Sequence, residues 1–521
     1  MALRRERRAR RTWPAVVARS RLTWPAVVAI VVVATVGAGC SASGSAASPR
    51  PAGPIATPSP APLAAPPPLT WSPCASTAGI QCGTVAVPID YRHPSDGSIN
   101  LAVTRAPALD GFDRDGTLLF NPGGPGESGN QILPVLLDFF PAAVRQEYNI
   151  VTFDPRGTGA SDPLRCGTSP SKATSVDPVP AAAGRPLPGT SVFTAMARSC
   201  AAKEPSLTPS VDTVDTARDM DRIRQALGLP RISFYGLSYG TSLGTVYADL
   251  FPHRLAAMVL DGAVDVNASL TQQADEQAPA AEQSLDHLFS TCTPSSECPL
   301  GRNPRGYFRN LAASLTRHPL PAPGHGDDVP VTVGDLDTAT LFDLSVPGFT
   351  PSYESALVAA RNGNGAALRS LALQFATDID GAPLVDPSWA ITCNDAAAHP
   401  GPVAAGTLAR AMNARYPLIG AYTVTYTMGG CVGWPPARQA VADVHPRGTP
   451  PVLIIGNTGD PNTPLIGARH LAAAFPTASL AIWRGWGHTW LLSGSSDGCM
   501  QHVVTSYLID GELPASGTRC S

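Results

Sequence analysis

Gly236-Leu237-Ser238-Tyr239-Gly240 stands between a short apolar run, Ile232 to Tyr235, and a helical run from about Thr241 to Leu250. Strand, tight glycine turn and helix in that order form the context that lifts a serine hydroxyl above a sheet edge as a nucleophile. Upstream, Thr84 to Val87 and Leu101 to Thr104 read as an opening pair of strands. Thr117 to Phe120 is a buried strand that stops at a Gly/Pro loop, and Asn149 to Phe153 is another that ends in Asp154-Pro155-Arg156-Gly157. Residues 212–229 predict a helix capped by Asp212 or Thr213. Val214, Ala217, Met220, Ile223 and Leu227 line one face of it, and Gly228 ends it. Downstream come strand Met258 to Leu260, strand Val452 to Ile455, a helix around Ile466 to Phe475, and strand Leu480 to Trp483. Strands that alternate with helices predict a mostly parallel α/β sheet. The stretch 265–435 lacks the alternation and reads as an inserted, mainly helical cap. It divides the sheet domain into a first part, 71–264, and a second, 436–521.

Charge is distributed unevenly along the 521 residues, whose formal total is −3. Residues 1–40 hold eight arginines and one acid, or +7, which leaves −10 for residues 41–521. A polyanionic body disfavours nucleic acid, whose binding draws on cationic contacts to phosphate. The cap alone has 16 acids against 8 arginines, a net −8, and this charge is expected to lie over the active site. At the N-terminus, a basic segment containing Arg4 to Arg11 precedes an uncharged apolar run, Pro25 to Ala38, and then small residues lead to Cys40. That order predicts an export signal over 1–40. A cysteine after Ala38-Gly39 resembles a bacterial lipoprotein processing site with Cys40 as the lipidated residue, although Gly37 stands where leucine is usual. Residues 41–70 carry nine prolines and no acid, a composition for an extended tether that holds a folded domain away from the membrane. The ten further cysteines, 74, 82, 166, 200, 292, 298, 393, 431, 499 and 520, show no zinc-ligand spacing. An even number in an exported chain implies a disulfide framework. Spacing does not settle connectivity, and the expectation is successive pairing: Cys74–Cys82, Cys166–Cys200, Cys292–Cys298, Cys393–Cys431 and Cys499–Cys520.

A serine nucleophile needs a base, and the base needs an orienting carboxylate. Chain order after an elbow of this type is serine, acid, histidine. Asp460, in Gly456-Asn457-Thr458-Gly459-Asp460-Pro461, and His488, in Gly485-Trp486-Gly487-His488, both follow strands on glycine-rich loops, where such sheets place their sites. Asp261, after the preceding strand, is the rival acid. Donors to the oxyanion are expected from the backbone N–H of Tyr239 and from Gly123 or Gly124 in Asn121-Pro122-Gly123-Gly124-Pro125-Gly126.

Four segments carry a family resemblance: Asn-Pro-Gly-Gly-Pro-Gly-Glu-Ser-Gly at 121–129, Phe153 to Gly157, Gly236 to Gly240, and Asp460-Pro461-Asn462-Thr463-Pro464. Together with Trp389 to Asp395 and the terminal cysteines, they resemble exported actinobacterial tripeptidyl aminopeptidases, α/β-hydrolases similar to proline iminopeptidases. The likeness runs from about Trp71 to the end and is least over 300–380. It implies a serine exopeptidase acting on peptides or proteins with free N-termini, held at the cell envelope or secreted. An aminopeptidase must hold a cationic α-amino group, and Glu127 and Asp395 are the candidate partners. No metal or organic cofactor is implied. Two other readings fit the same residues: an exported carboxylesterase or lipase with the same triad, and a non-catalytic envelope lipoprotein that retains the scaffold for binding.

Overall fold

The structure is a computed structural model that describes residues 63–75, 77–109, 116–293 and 298–521. The export signal, Cys40 and most of the 41–70 tether lie outside the described residues. Just before Trp71 the Leu69 N–H donates to the Ala226 carbonyl at 2.8 Å.

Ten strands among the described residues form one sheet. They are β1 (Ser72–Pro73), β2 (Gln81–Pro88), β3 (Ser98–Ala106), β4 (Thr117–Asn121), β5 (Asn149–Phe153), β6 (Ile232–Leu237), β7 (Leu255–Asp261), β8 (Val452–Gly459), β9 (Ala478–Trp486) and β10 (Thr518–Cys520). Their order is β1-β2-β3-β5-β4-β6-β7-β8-β9-β10. The β1–β2, β2–β3 and β3–β5 pairs are antiparallel, and every pair from β5 to β10 is parallel. The expected strands are all present. β1 and β10, two and three residues long, are too short to show a period in sequence.

The continuous apolar runs of the central strands follow from burial on both faces. Leu119, Phe234, Met258, Leu260, Val452 and Ile454 face one cluster, filled from above by helices Thr213–Ala226, Tyr239–Leu250 and Leu465–Ala474. The alternate residues Leu118, Phe120, Tyr235, Val259, Leu453 and Ile455 face the other, covered by helices Gly129–Leu136 and Gly498–Thr505.

Between β7 and β8 the described residues form eight α-helices, from Leu270–Cys292 to Gly420–Met428. They have their own apolar cluster around Phe308, Leu336, Tyr353 and Leu357. The segment 165–211 packs its apolar residues, among them Leu187, Met196 and Leu207, into the cluster on the sheet and also bonds to the cap. The Cys166 N–H donates to Asp386, Thr174 and Ser175 donate to Asp335, and the Leu187 N–H donates to the Pro402 carbonyl. Its short helices, Pro170–Thr174 and Thr190–Lys203, lack the strand–helix alternation that identifies the core.

The disulfides join Cys74–Cys82, Cys166–Cys200, Cys292–Cys298, Cys393–Cys431 and Cys499–Cys520. Such a framework persists only in oxidising compartments, which marks an exported protein. Among the described residues no helix is long and apolar enough to cross a membrane. Arg156, fully buried, forks onto Asp219 at 2.8 and 2.6 Å and reaches the carbonyls of Ile89 and Ser210. It thereby fastens the loop after β5 to the helix that precedes β6.

Candidate active site

Ser238 is the first residue past β6 and sits at φ +53° and ψ −122°, a strained conformation for a residue with a side chain. Close approach explains the flanking glycines. A Cβ on Gly236 would meet the Gly240 carbonyl oxygen at 2.4 Å, and one on Gly240 would meet the Asn121 carbonyl oxygen at 2.7 Å. The Ser238 N–H donates to the Asp261 carbonyl at 2.9 Å, so the turn is pinned to the neighbouring strand.

Asp460 directly follows β8, and His488 lies two residues past β9. Both Asp460 carboxylate oxygens face His488 Nδ1, at 2.9 and 3.0 Å. The carboxylate also accepts from the N–H groups of Asn462, Thr463 and Thr489 and from the Thr463 hydroxyl. Thr463 Oγ1 lies 3.2 Å from the same imidazole nitrogen. Both residues are buried, so Asp460 is an oriented acceptor with little freedom to rotate away. The ring edge lies over the elbow side of the sheet, with His488 Cε1 3.4 Å from where a Gly262 Cβ would stand. No hydrogen bond among the described residues joins the Ser238 hydroxyl to His488; in resting sites this contact is commonly long and tightens with substrate.

Asp261 does not touch the imidazole. It is fully buried and accepts from the N–H groups of Trp490 and Leu491 and from the Tyr235 hydroxyl. Burial raises its carboxyl to about 6 against those donors. Its hold is on the backbone just after His488.

The cap reaches the same loop. The His488 N–H donates to the Ser345 carbonyl at 2.8 Å, and Asn462 Nδ2 donates to Ser345 Oγ at 2.7 Å. Ser345 is the last residue of helix Val333–Ser345.

The loop after β4 lies against the elbow, since a Cβ on Gly123 would stand 3.0 Å from Ser238 Cβ and 3.4 Å from the Tyr239 nitrogen. The Gly123 N–H already donates to Asn121 Oδ1 at 3.1 Å, which leaves the Gly124 N–H as the candidate beside that of Tyr239. Tyr239 opens its helix, and a first-turn N–H has no intrahelical partner. Asp154 anchors the far end of the loop: it accepts from Ser128 Oγ at 2.7 Å, Asn130 N at 3.0 Å and Ala160 N at 2.8 Å.

Ser238, Tyr239 and Gly124 line a cavity of about 490 Å³ between sheet and cap. Phe193, Phe375, Trp389, Tyr422 and Tyr426 supply an aromatic wall. Asp395 lines the cavity as well and accepts from the Thr213 N–H at 2.8 Å and hydroxyl at 2.5 Å. Burial pushes it up to about 7 against these two donors. The Thr213 hydroxyl also meets the Tyr239 hydroxyl at 2.7 Å, which connects Asp395 to the residue after Ser238. Glu127 is half-buried on the loop after β4, outside the cavity lining, and makes no hydrogen bond or ion pair with another described residue. Burial, then Asp378 and Asp154, push it up to about 7.

The cap's charge is not gathered over the site as its composition suggests. Asp265, Glu276 and Asp395 line the cavity. Asp335 and Asp327 are spent on Arg369, and Glu282 and Asp286 on Arg305. Asn121, Asp154, Thr463 and Ser345 are supporting residues that the sequence reading does not single out; the first three lie within the quoted motifs, and Ser345 carries no signal.

The sequence profile of the alpha/beta hydrolase fold matches residues 116–495. The serine protease Hip1 of Mycobacterium tuberculosis is 31% identical over 481 residues, covering 87% of this chain and 91% of the relative. Carboxylesterase B of the same organism is 31% identical over 500 residues, covering 88% and 91%. The tripeptidyl aminopeptidase of Streptomyces lividans is 28% identical over 500 residues, covering 87% and 86%.

Proposed function

Because this chain belongs to the alpha/beta hydrolase family, we propose that it is an exported serine aminopeptidase that cleaves near free peptide N-termini through Ser238, His488 and Asp460. The observation that carries the reading is the two-oxygen grip of Asp460 on His488 Nδ1, on the loops that flank a strained serine. Ser238 attacks the scissile carbonyl while His488 takes its proton, then returns it to the leaving amine. Asp460 fixes the tautomer in which Nδ1 carries hydrogen and Nε2 is free to act. The N–H groups of Tyr239 and Gly124 hold the oxyanion, and water releases the acyl group. Peptide specificity draws on the relatives named serine protease and tripeptidyl aminopeptidase.

In this reading Glu127 and Asp395 take the substrate's ammonium group. A hydrogen bond to a charged group is worth about 1.5–3 kcal/mol, so a tripeptide anilide with a free amine should exceed its N-acetyl form roughly 10–100-fold in kcat/KM. Glu127→Gln or Asp395→Asn should reduce that ratio. Retention of the full preference in both variants would refute the assignment. The pH dependence follows in sign. With both carboxyls at about 7, recognition strengthens as pH rises through 7, and it weakens once the substrate amine loses its proton near about 8.

The relative named Carboxylesterase B and the aromatic wall favour a second reading, an esterase. Short acyl esters cleaved faster than every free-amine peptide would select it. Lipidation of Cys40 belongs to the proposal too, supported by the basic, apolar and small order of residues 1–40. A Cys40→Ser chain should pass from the membrane fraction into the medium, and its retention in the membrane fraction would count against the anchor.

A further inference from the structure

Three side chains from separate elements meet at the rim of the cavity. Asp265 lies four residues past β7, Glu276 on helix Leu270–Cys292 of the cap, and His470 on helix Leu465–Ala474 of the sheet domain. One ligand-type atom from each lies within 4.8 Å of the other two. His470 Nδ1 is 3.0 Å from Asp265 Oδ2 and 3.7 Å from Glu276 Oε1. We propose that Asp265, Glu276 and His470 form a divalent-cation site of the zinc class that braces the cap against the sheet domain.

Several observations support this. Zinc takes nitrogen and carboxylate oxygen at about 2.0–2.1 Å in a tetrahedron, which sets neighbouring ligand atoms about 3.3 Å apart. The two edges of 3.0 and 3.7 Å fall on either side of that spacing, so small side-chain shifts suffice. The donor set discriminates as well: imidazole suits zinc and its transition-metal neighbours, whereas calcium and magnesium take oxygen. The His470 side chain is 46% exposed while Asp265 and Glu276 are 19% and 25% exposed, so the ion has a path from solvent and a water can complete its shell. Asp265 and Glu276 also line the cavity that holds Ser238, which places the ion in the cavity wall and cancels negative charge there. The other such trio among the described residues, Asp497, Cys499 and Cys520, is closed to metal by its disulfide.

The test is equilibrium dialysis of the full chain, without an affinity tag, against micromolar zinc chloride, with melting temperature followed in parallel. One zinc per chain and a raised Tm are expected, with affinity about tenfold or more weaker in His470→Ala and in Glu276→Gln. Excess calcium should not displace the zinc. Absence of bound zinc, or equal binding by both variants, overturns the proposal. Neither readout depends on catalysis, and both variants alter partly exposed side chains.

Discussion

Ser238→Ala is expected to lower hydrolysis of a free-amine tripeptide anilide by at least about 10⁴-fold, because the acyl-enzyme route is lost with the hydroxyl. The remainder would come from the Tyr239 and Gly124 donors and from binding, which still favour the tetrahedral geometry without a nucleophile. Alanine keeps a Cβ, so it meets the φ +53° turn with the same strain as serine, and the fold should not change. The loss should therefore appear in kcat with KM little altered and an unshifted melting temperature. A fluorophosphonate probe should label the wild type and not the variant. Activity within tenfold of wild type, or undiminished labelling, would remove Ser238 from the mechanism. It would also revive the reading of a scaffold kept for binding.

The second large effect separates the two acids. Asp460→Asn should cost about 10⁴-fold in kcat, since an amide NH₂ facing Nδ1 favours the tautomer with its hydrogen on Nε2, where the base must be free. The asparagine would keep one acceptor for the N–H groups of Asn462 and Thr463, so the loop should survive. Asp261→Asn should behave differently. Asp261 binds the backbone after His488 through Trp490 and Leu491 and makes no contact with the ring. Its loss displaces the loop without altering the tautomer, a misplacement worth at most about 100-fold. It should also lower Tm, because a buried carboxylate that satisfies two N–H groups is replaced by a side chain with one acceptor oxygen. If Asp261→Asn proved the more damaging to kcat, the roles assigned to the two acids would be exchanged.

The strand–elbow–helix unit was legible because two periods change across five residues and close packing dictates glycines on either side of the serine. Asp460 and Asp261 were both candidates because each follows a parallel strand on a turn. β7 and β8 are neighbours, so both acids arrive under the histidine loop, and only side-chain direction separates ring from backbone. The choice between Gly123 and Gly124 turns on the Asn121 amide, whose rotamer no pattern reports. The contacts of segment 165–211 with the cap are single hydrogen bonds to Asp335, Asp386 and Pro402, which leave no periodic trace. Composition overstated the charge over the site because it cannot tell an acid facing a cavity from one already paired with Arg369 or Arg305. The trio at the cavity rim was hidden by distance: Asp265 and His470 are 205 residues apart in the chain.

The Ser345 carbonyl that accepts the His488 N–H makes the roof of the cavity part of its machinery. Any motion that lifts the end of helix Val333–Ser345 away from the sheet pulls on the backbone that carries the imidazole and on Asn462, two residues from Asp460. The placement of the imidazole thus rests on the cap as well as on the sheet.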